Sequence, residues 1–396
     1  MTDPEMFEVV VLGAGASGLM CASEAAKRGR RVLVLDHAKK PGLKIRISGG
    51  GRSNFTNLDI QPKCYLSGNP HFCKSALSRF TQWDFLERIV QAGIQYEERS
   101  HGQLFCTGTA NEIVEMLMAD CRRHGVVFRL GTEIGSVEKR GERTYVVETS
   151  AGAVQAASLV VATGGLSYST IGATGLGYDI ARKMGIAVHE PTPGLVPFTL
   201  RGQDSRDLPA LAGIALAATA SIGEVRFTEN VLFTHRGLSG PVILQISSYW
   251  SAGQAVLLDL LPGMDLFGHL KAQRTRQPLK MMRTVLVDHL PKRLIEVFLE
   301  VDLADRKLAD CSDRHLQQVA DRFQKWAFVP GGTEGYKKAE VTCGGVDCDA
   351  ISSKTMEAKA APGLFFVGEV LDVTGWLGGY NLQWAWSSGW CAGQYA

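Results

Sequence analysis

The chain has 396 residues, 45% of them hydrophobic and 21% charged, with a formal net charge of +2; that length exceeds one compact core and predicts two or three soluble, globular domains. No apolar stretch approaches the ~20 residues a membrane-spanning helix needs, and the N-terminus runs almost directly into a strand-like segment, so no signal peptide and a cytoplasmic location are expected. The nine cysteines are scattered and form no C-x-x-C pair, which argues against a disulfide framework or a zinc site.

In chain order, a strand-like run at Phe7–Leu12 leads into Gly13, Ala14, Gly15, Ala16, Ser17 and Gly18. A helix is expected near 16–29, then a second strand at 31–35 that ends on Asp36, with His37 beside it. Gly13 permits a tight turn, Gly15 lets the backbone approach a pyrophosphate, and Gly18 lets helix and strand pack closely. The diphosphate would sit on the amide-rich helix N-terminus, and Asp36 stands where ribose hydroxyls are bound.

The segment 39–57 reads as a long glycine-rich loop. It carries Lys44, Arg46 and Arg52 with Ser48, Gly49, Gly50, Gly51, Ser53, Asn54 and Asn57, a set suited to phosphates. One helix is expected over 74–93 and another from Thr109, where Glu112 completes a capping box. Strands follow at 126–130, 134–139, 145–149 and 159–162, the middle pair a hairpin around 140–143. The last of these strands runs into Ala162, Thr163, Gly164 and Gly165, small residues that can pass close under a cofactor. Gly172–Gly177 resembles a second fingerprint, but no acid-terminated strand completes it, so it opens a helix at 178–184 instead.

Beyond Gly185 the texture changes. Prolines 191, 193, 197 and 209 break the chain, and 214–222, 224–233 and 255–260 alternate like antiparallel strands. Residues 264–328 are helical and basic. From Lys271 to Arg293 there are seven Lys/Arg against one acid, Asp288; such a run is either a solvated helical face or a phosphate-facing surface. The domains expected are 1–190 with 346–396, a β insert at 191–262 with 331–345, and a helical basic lobe at 263–330.

At the far end, Gly363–Glu369 is followed by Asp372 and by Gly378, Gly379, Tyr380 and Asn381. A nicotinamide-binding unit closes within one stretch and needs no distant glycine-rich return, whereas a flavin is longer and must be held again. The split signature therefore points to FAD.

The glycine triplet, SGGGRSNFTN (48–57), ATGG (162–165), VLFTHRGLSGP (231–241) and GEVLDVTGWLGGYNLQWAWSSG (368–389) together resemble the BaiN/RdsA family of bacterial flavoproteins, also called aminoacetone oxidase-like, over nearly the whole chain. Other segments, GLVPFTL among them, resemble its RdsA branch, dihydrouridine synthases of large-subunit ribosomal RNA. The resemblance implies an α/β fold: a discontinuous Rossmann-like FAD-binding domain with an inserted β-barrel-like domain and a helical lobe. It places FAD contacts on Gly13–Gly18, Asp36, Lys44, Ser48–Arg52, the backbone of Val137, Ala162–Gly164, Gly368 with Glu369, and Gly379–Leu382. A helix opening after Asn381 would face the pyrimidine edge of the ring and stabilise its anionic reduced form. No histidine stands between His37 and His71, so the FAD is expected to be non-covalent.

Reduction of a uracil also needs a proton donor. Cys106 is the first candidate, with core packing as the alternative; His235 and Arg236, in a loop expected to face the flavin, are the others. Tyr380 is open between covering the ring and packing. Trp376, Trp384, Trp386 and Trp390 read as core. The function expected is uridine reduction with NAD(P)H as electron source, and Lys271, Arg274, Arg276, Lys280 and Arg283 as RNA contacts. A small-molecule flavoenzyme (amine oxidase or enone reductase) and a non-catalytic RNA-binding flavoprotein remain open, as does the oligomeric state.

Overall fold

The computed structural model describes residues 4–396, apart from the side chain of Ile171. It divides into two compact units, one running to Pro193 and resuming over Glu340–Ala396, the other spanning Gly194–Ala339.

The first unit is built on a seven-stranded sheet: six strands follow the spatial order Val127–Leu130, Val32–Asp36, Glu5–Leu12, Val154–Val161, Tyr145–Thr149, Ile134–Lys139, and the seventh, Leu364–Phe366, branches from Val154–Val161. The four at one side are parallel, with Leu12 opposite both Leu35 and Val161. The strand Val154–Val161 is forked. Its first half pairs antiparallel with Tyr145–Thr149, and its second half pairs parallel with Leu364–Phe366 from the far end of the chain. These central strands are buried on both faces, as their near-continuous Val/Leu/Ile composition requires.

The helix Ala16–Lys27 packs against the C-terminal helix Tyr380–Gly393. Side chains are left out of the contact where the helices meet: a Cβ on Gly389 would lie 2.5 Å from the Ser17 carbonyl oxygen. Trp384 and Trp386 are fully buried and donate to the carbonyls of Gly368 (3.0 Å) and Phe55 (2.9 Å). Gln383 and Ser387 satisfy the Phe80 carbonyl, so a helix apolar on nearly every side still leaves its buried polar groups paired.

Three local expectations are corrected. The region 39–57 is not an open loop: it folds as a short helix at Leu43–Ile47, a glycine turn at Ser48–Gly51 and a strand at Asn54–Asn57. The helix expected over 74–93 is two, Cys73–Arg79 and Gln82–Gln91. The break falls at Thr81, which caps the second helix in a reciprocal box with Asp84. The box expected at Thr109 is half formed: Glu112 accepts the Thr109 amide at 2.8 Å, but the helix begins at Asn111.

The second unit holds a seven-stranded sheet in the order Trp326–Phe328, Val256–Asp259, Ala215–Ile222, Val225–Phe233, Gly237–Ser239, Phe198–Thr199, Gly332–Thr333, its resolved pairings antiparallel. Helices at Leu266–Arg276, Met282–Leu286, Lys292–Phe298, Val301–Ala304 and Asp313–Gln324 belong to the same unit. No helix among the described residues is long and apolar enough to cross a membrane.

Candidate cofactor cleft and catalytic groups

The first glycine turn is fixed by contacts only glycine allows. Gly13 adopts φ +113°, and a Cβ there would meet the Ala162 carbonyl oxygen at 2.4 Å; a Cβ on Gly18 would stand 2.0 Å from the Gly13 carbonyl oxygen. Gly15 is different, because no described atom lies within 4 Å of where its Cβ would be. The helix that starts at Ala16 has neither a side-chain cap nor an acid in its first turn, leaving amides directed at that open side. The Asp36 carboxylate already accepts the amides of Ala14 (2.7 Å) and Ala38 (2.8 Å). It therefore braces the turn, and the exposed His37 lies beside it.

The second stretch converges on the same end of the sheet. Ser48 donates to the Ile45 carbonyl and to the Ser53 hydroxyl, while Gly49 and Gly50 take left-handed conformations. Arg46 is tied to Pro41, Asn111 and Glu115, and Arg52 stands 3.7 Å from Glu97. Asn54 donates to Gln103, but its buried Oδ1 has no hydrogen-bond partner among the described residues. The same holds for Thr163 Oγ1 at the end of the forked strand.

The return stretch locks onto both. Val367 donates to the Val161 carbonyl, and Gly368 passes close enough to Ser17 that a Cβ would lie 2.5 Å from its hydroxyl. Gly379 (φ +95°) sits against the Thr56 carbonyl and Asn54 Oδ1. The Glu369 carboxylate gathers Lys44 Nζ (2.5 Å), Ser167 Oγ (2.9 Å) and the Thr342 amide (2.8 Å). Asn381 is spent on the turn before its helix, exchanging hydrogen bonds with Gly375. Tyr380 is buried edge-on to Tyr65 and Trp376, Leu382 packs on the core, and Val137 is buried in its strand.

These residues fit FAD. Open space over Gly15, Gly50 and Gly164, and two unpartnered buried oxygens on Asn54 and Thr163, are what a bound dinucleotide would fill and satisfy.

Cys106 has no exposed surface and lies within the hydrophobic core; burial pushes its thiol up to about 11. That placement favours packing. His235 and Arg236 are exposed in the second unit, where Arg236 stands 3.7 Å from Glu334. The basic helices carry their own counter-charges: Lys271 and Arg274 share Asp313, Lys280 pairs with Asp288, and Arg283 with Asp305. Arg274 also donates to the Cys311 carbonyl at 2.7 Å. Among the described residues no carboxylate pairs with Arg276.

Sequence reasoning gave no role to Glu340, a half-exposed carboxyl at the start of the returning stretch that makes no hydrogen bond or ion pair with any described residue. Burial raises its carboxyl above the usual glutamate range, with Lys44 opposing. Its charge and that of Glu369, after burial itself, push up the Tyr168 hydroxyl.

Fold and cleft together define a flavin-binding oxidoreductase of the Rossmann class. The family described as HI0933-like protein Rossmann domain matches residues 7–395, and the chain belongs to that family. It is 50% identical over 393 residues, 98% of each chain, to the ribosomal RNA dihydrouridine synthase of Escherichia coli (strain K12). It is 28% identical over 409 residues, 99% of each chain, to the 3-dehydro-bile acid delta(4,6)-reductase of Clostridium scindens. Among solved structures, the 3-ketosteroid-delta4-(5alpha)-dehydrogenase of Rhodococcus jostii shares the fold, with a TM-score of 0.50 at 13% identity over 98% of this chain and 97% of that one.

Proposed function

We propose that the chain reduces a uridine of large-subunit ribosomal RNA to dihydrouridine in the cytoplasm, using FAD and taking electrons from NAD(P)H. The observation that carries this reading is full-length identity of 50% to an enzyme of that activity. FAD held in the cleft would supply the hydride that reduces the uracil ring. The protein's own residues hold the cofactor: amides at Ala16 and beyond receive the diphosphate, Asp36 the ribose, and Lys44 with Glu369 fixes the stretch where the two ends of the chain meet.

The substrate base must leave its stack to reach such a cleft. His235 and Arg236, both exposed, are the proposed substrate anchors. Phosphates would be met by Arg276 first. Lys271 and Lys280 join it by exchanging aspartate for phosphate, since exposed ion pairs are worth only about 0–1 kcal/mol. Arg274 and Arg283 are more deeply committed to the helices themselves.

Mass spectrometry of ribosomal RNA from a strain lacking the gene tests the reading: one uridine should lose its two added hydrogens. An unchanged modification profile overturns it. The bile-acid reductase relative favours a second reading, an enone reductase of small molecules; it predicts oxidation of the reduced protein by free enones and not by RNA.

A further inference from the structure

In the second unit, three neighbouring strands turn a polar grid outward. Their register sets Thr228, Thr219 and Asp259 side by side, and Arg226, Ser221 and Leu257 in the next outward row. The row between them, Phe227, Ala220 and Leu258, faces the other way and is buried. An outward row on a sheet is ordinarily a solvated surface, but here a wall stands beside it. Pro262 and Gly263 follow the strand Val256–Asp259, and Gln324 ends the helix Asp313–Gln324. With the grid they enclose a cavity of about 500 Å³, within the range of about 300–1,000 Å³ found for small-ligand sites. The wall is fixed in place. Gln324 donates to the carbonyls of Leu261 (3.3 Å) and Met264 (2.5 Å), and its Oε1 accepts the Leu266 amide at 3.2 Å.

The lining selects the chemistry of an occupant. Arg226 is exposed and makes no hydrogen bond or ion pair with any described residue, so its planar fork is available to a phosphate. Asp259 Oδ1 accepts the Leu261 amide at 2.9 Å, and the remaining lone pairs of the carboxylate can accept hydroxyl hydrogens. Thr219 and Thr228 share a single hydroxyl–hydroxyl bond at 2.8 Å, and Leu257 adds an exposed apolar surface. A bare anion would be repelled by Asp259, and a neutral sugar would leave Arg226 unused. A sugar phosphate uses both.

We propose that this cavity holds one ribonucleotide of the substrate RNA, with its phosphate on Arg226, its 2′-hydroxyl on Asp259 and its apolar face against Leu257. The inference rests on the uridine-reductase reading above and adds to it a contact that tells RNA from DNA. Continuity favours RNA as the source of the sugar phosphate. The wall is bonded to Leu266, the first residue of the helix Leu266–Arg276, whose last residue is the cation proposed above to meet phosphate. That helix of 11 residues spans about 16 Å, so one strand of RNA following it would meet both the cavity and Arg276.

The test titrates the FAD-loaded protein with a fluorescently labelled ribosomal RNA transcript, and with single-stranded DNA of the same sequence, over a series of salt concentrations. Arg226→Gln breaks no bond within the protein, so FAD content and reduction by NAD(P)H should match wild type. It should nevertheless lower the slope of log affinity against log salt by about one. Asp259→Ala should weaken RNA binding about 10-fold and leave DNA binding unchanged, because only RNA carries the 2′-hydroxyl. A merely structural role for Asp259, through its contact with the Leu261 amide, would weaken both nucleic acids alike. An unchanged slope in Arg226→Gln, or equal losses of RNA and DNA in Asp259→Ala, overturns the proposal and leaves the substrate reading intact. If free NAD(P)H displaces the transcript and Arg226→Gln raises the KM for NAD(P)H, the cavity serves that nucleotide and the RNA assignment falls. A wild-type protein that binds the transcript as expected but forms no dihydrouridine overturns the substrate reading alone.

Discussion

The cofactor cleft and the basic helices both looked like binding surfaces in the sequence, and the structure treats them in opposite ways. In the cleft, oxygens of Asn54 and Thr163 are buried without partners, and the side of Gly15 is open. On the helices, four of the five proposed RNA-binding cations already hold an aspartate. Unspent hydrogen-bonding capacity in a rigid frame marks a place prepared for a ligand, because leaving it unsatisfied costs about 1–3 kcal/mol per group. Paired surface charge marks a region that is complete by itself. The contrast is not absolute, since Arg283 Nε and Gln273 Oε1 are also without partners.

The sharpest way to break the comparison is to separate space that serves folding from space that serves the ligand. Gly18→Val drives a side chain into the Gly13 carbonyl and should cost about 3 kcal/mol or more, leaving little soluble protein. Gly15→Ala adds a Cβ with no neighbouring atom within 4 Å, so the apo protein should melt at the wild-type temperature. Yet FAD affinity should fall at least ~10-fold, about 1.4 kcal/mol, as read by flavin fluorescence titration. Equal melting losses in the two variants would erase the distinction.

On the basic helices, Arg274→Ala should remove the bond to the Cys311 carbonyl, worth about 1 kcal/mol, and lower Tm by about 2–4 °C without changing the salt dependence of RNA binding. Arg276→Glu should do the reverse, reducing the slope of log affinity against log salt by about one at unchanged Tm. The smallest effect is expected at Cys106→Ala. Removing a core sulfur costs about 1 kcal/mol, and the rate of uridine reduction should be unaltered; a large loss of rate would return Cys106 to the reaction.

What was legible in the sequence was local. Gly13, Gly18 and the strand ending on Asp36 declare themselves because a turn, a close contact and a strand end lie within a few residues of one another. The Lys44–Glu369 pair joins positions 325 residues apart, and no spacing rule announces it. The charge count over 271–293 left out Asp305 and Asp313, the partners of Arg283 and Arg274, because both lie beyond that window. The single helix expected over 74–93 failed because apolar spacing continued across Phe80 while Thr81 offered a cap strong enough to restart the helix.

The forked strand has a consequence for how the protein is made. Leu159–Val161 presents an apolar parallel edge that Leu364–Phe366 covers, so a nascent chain carries that edge bare until this segment, about 200 residues further on, has emerged. A chain truncated before Leu364 lacks the partner strand, the Glu369 clamp and the helix Tyr380–Gly393 together, and is expected to be handed to chaperones or proteases rather than accumulate as a colourless half-enzyme.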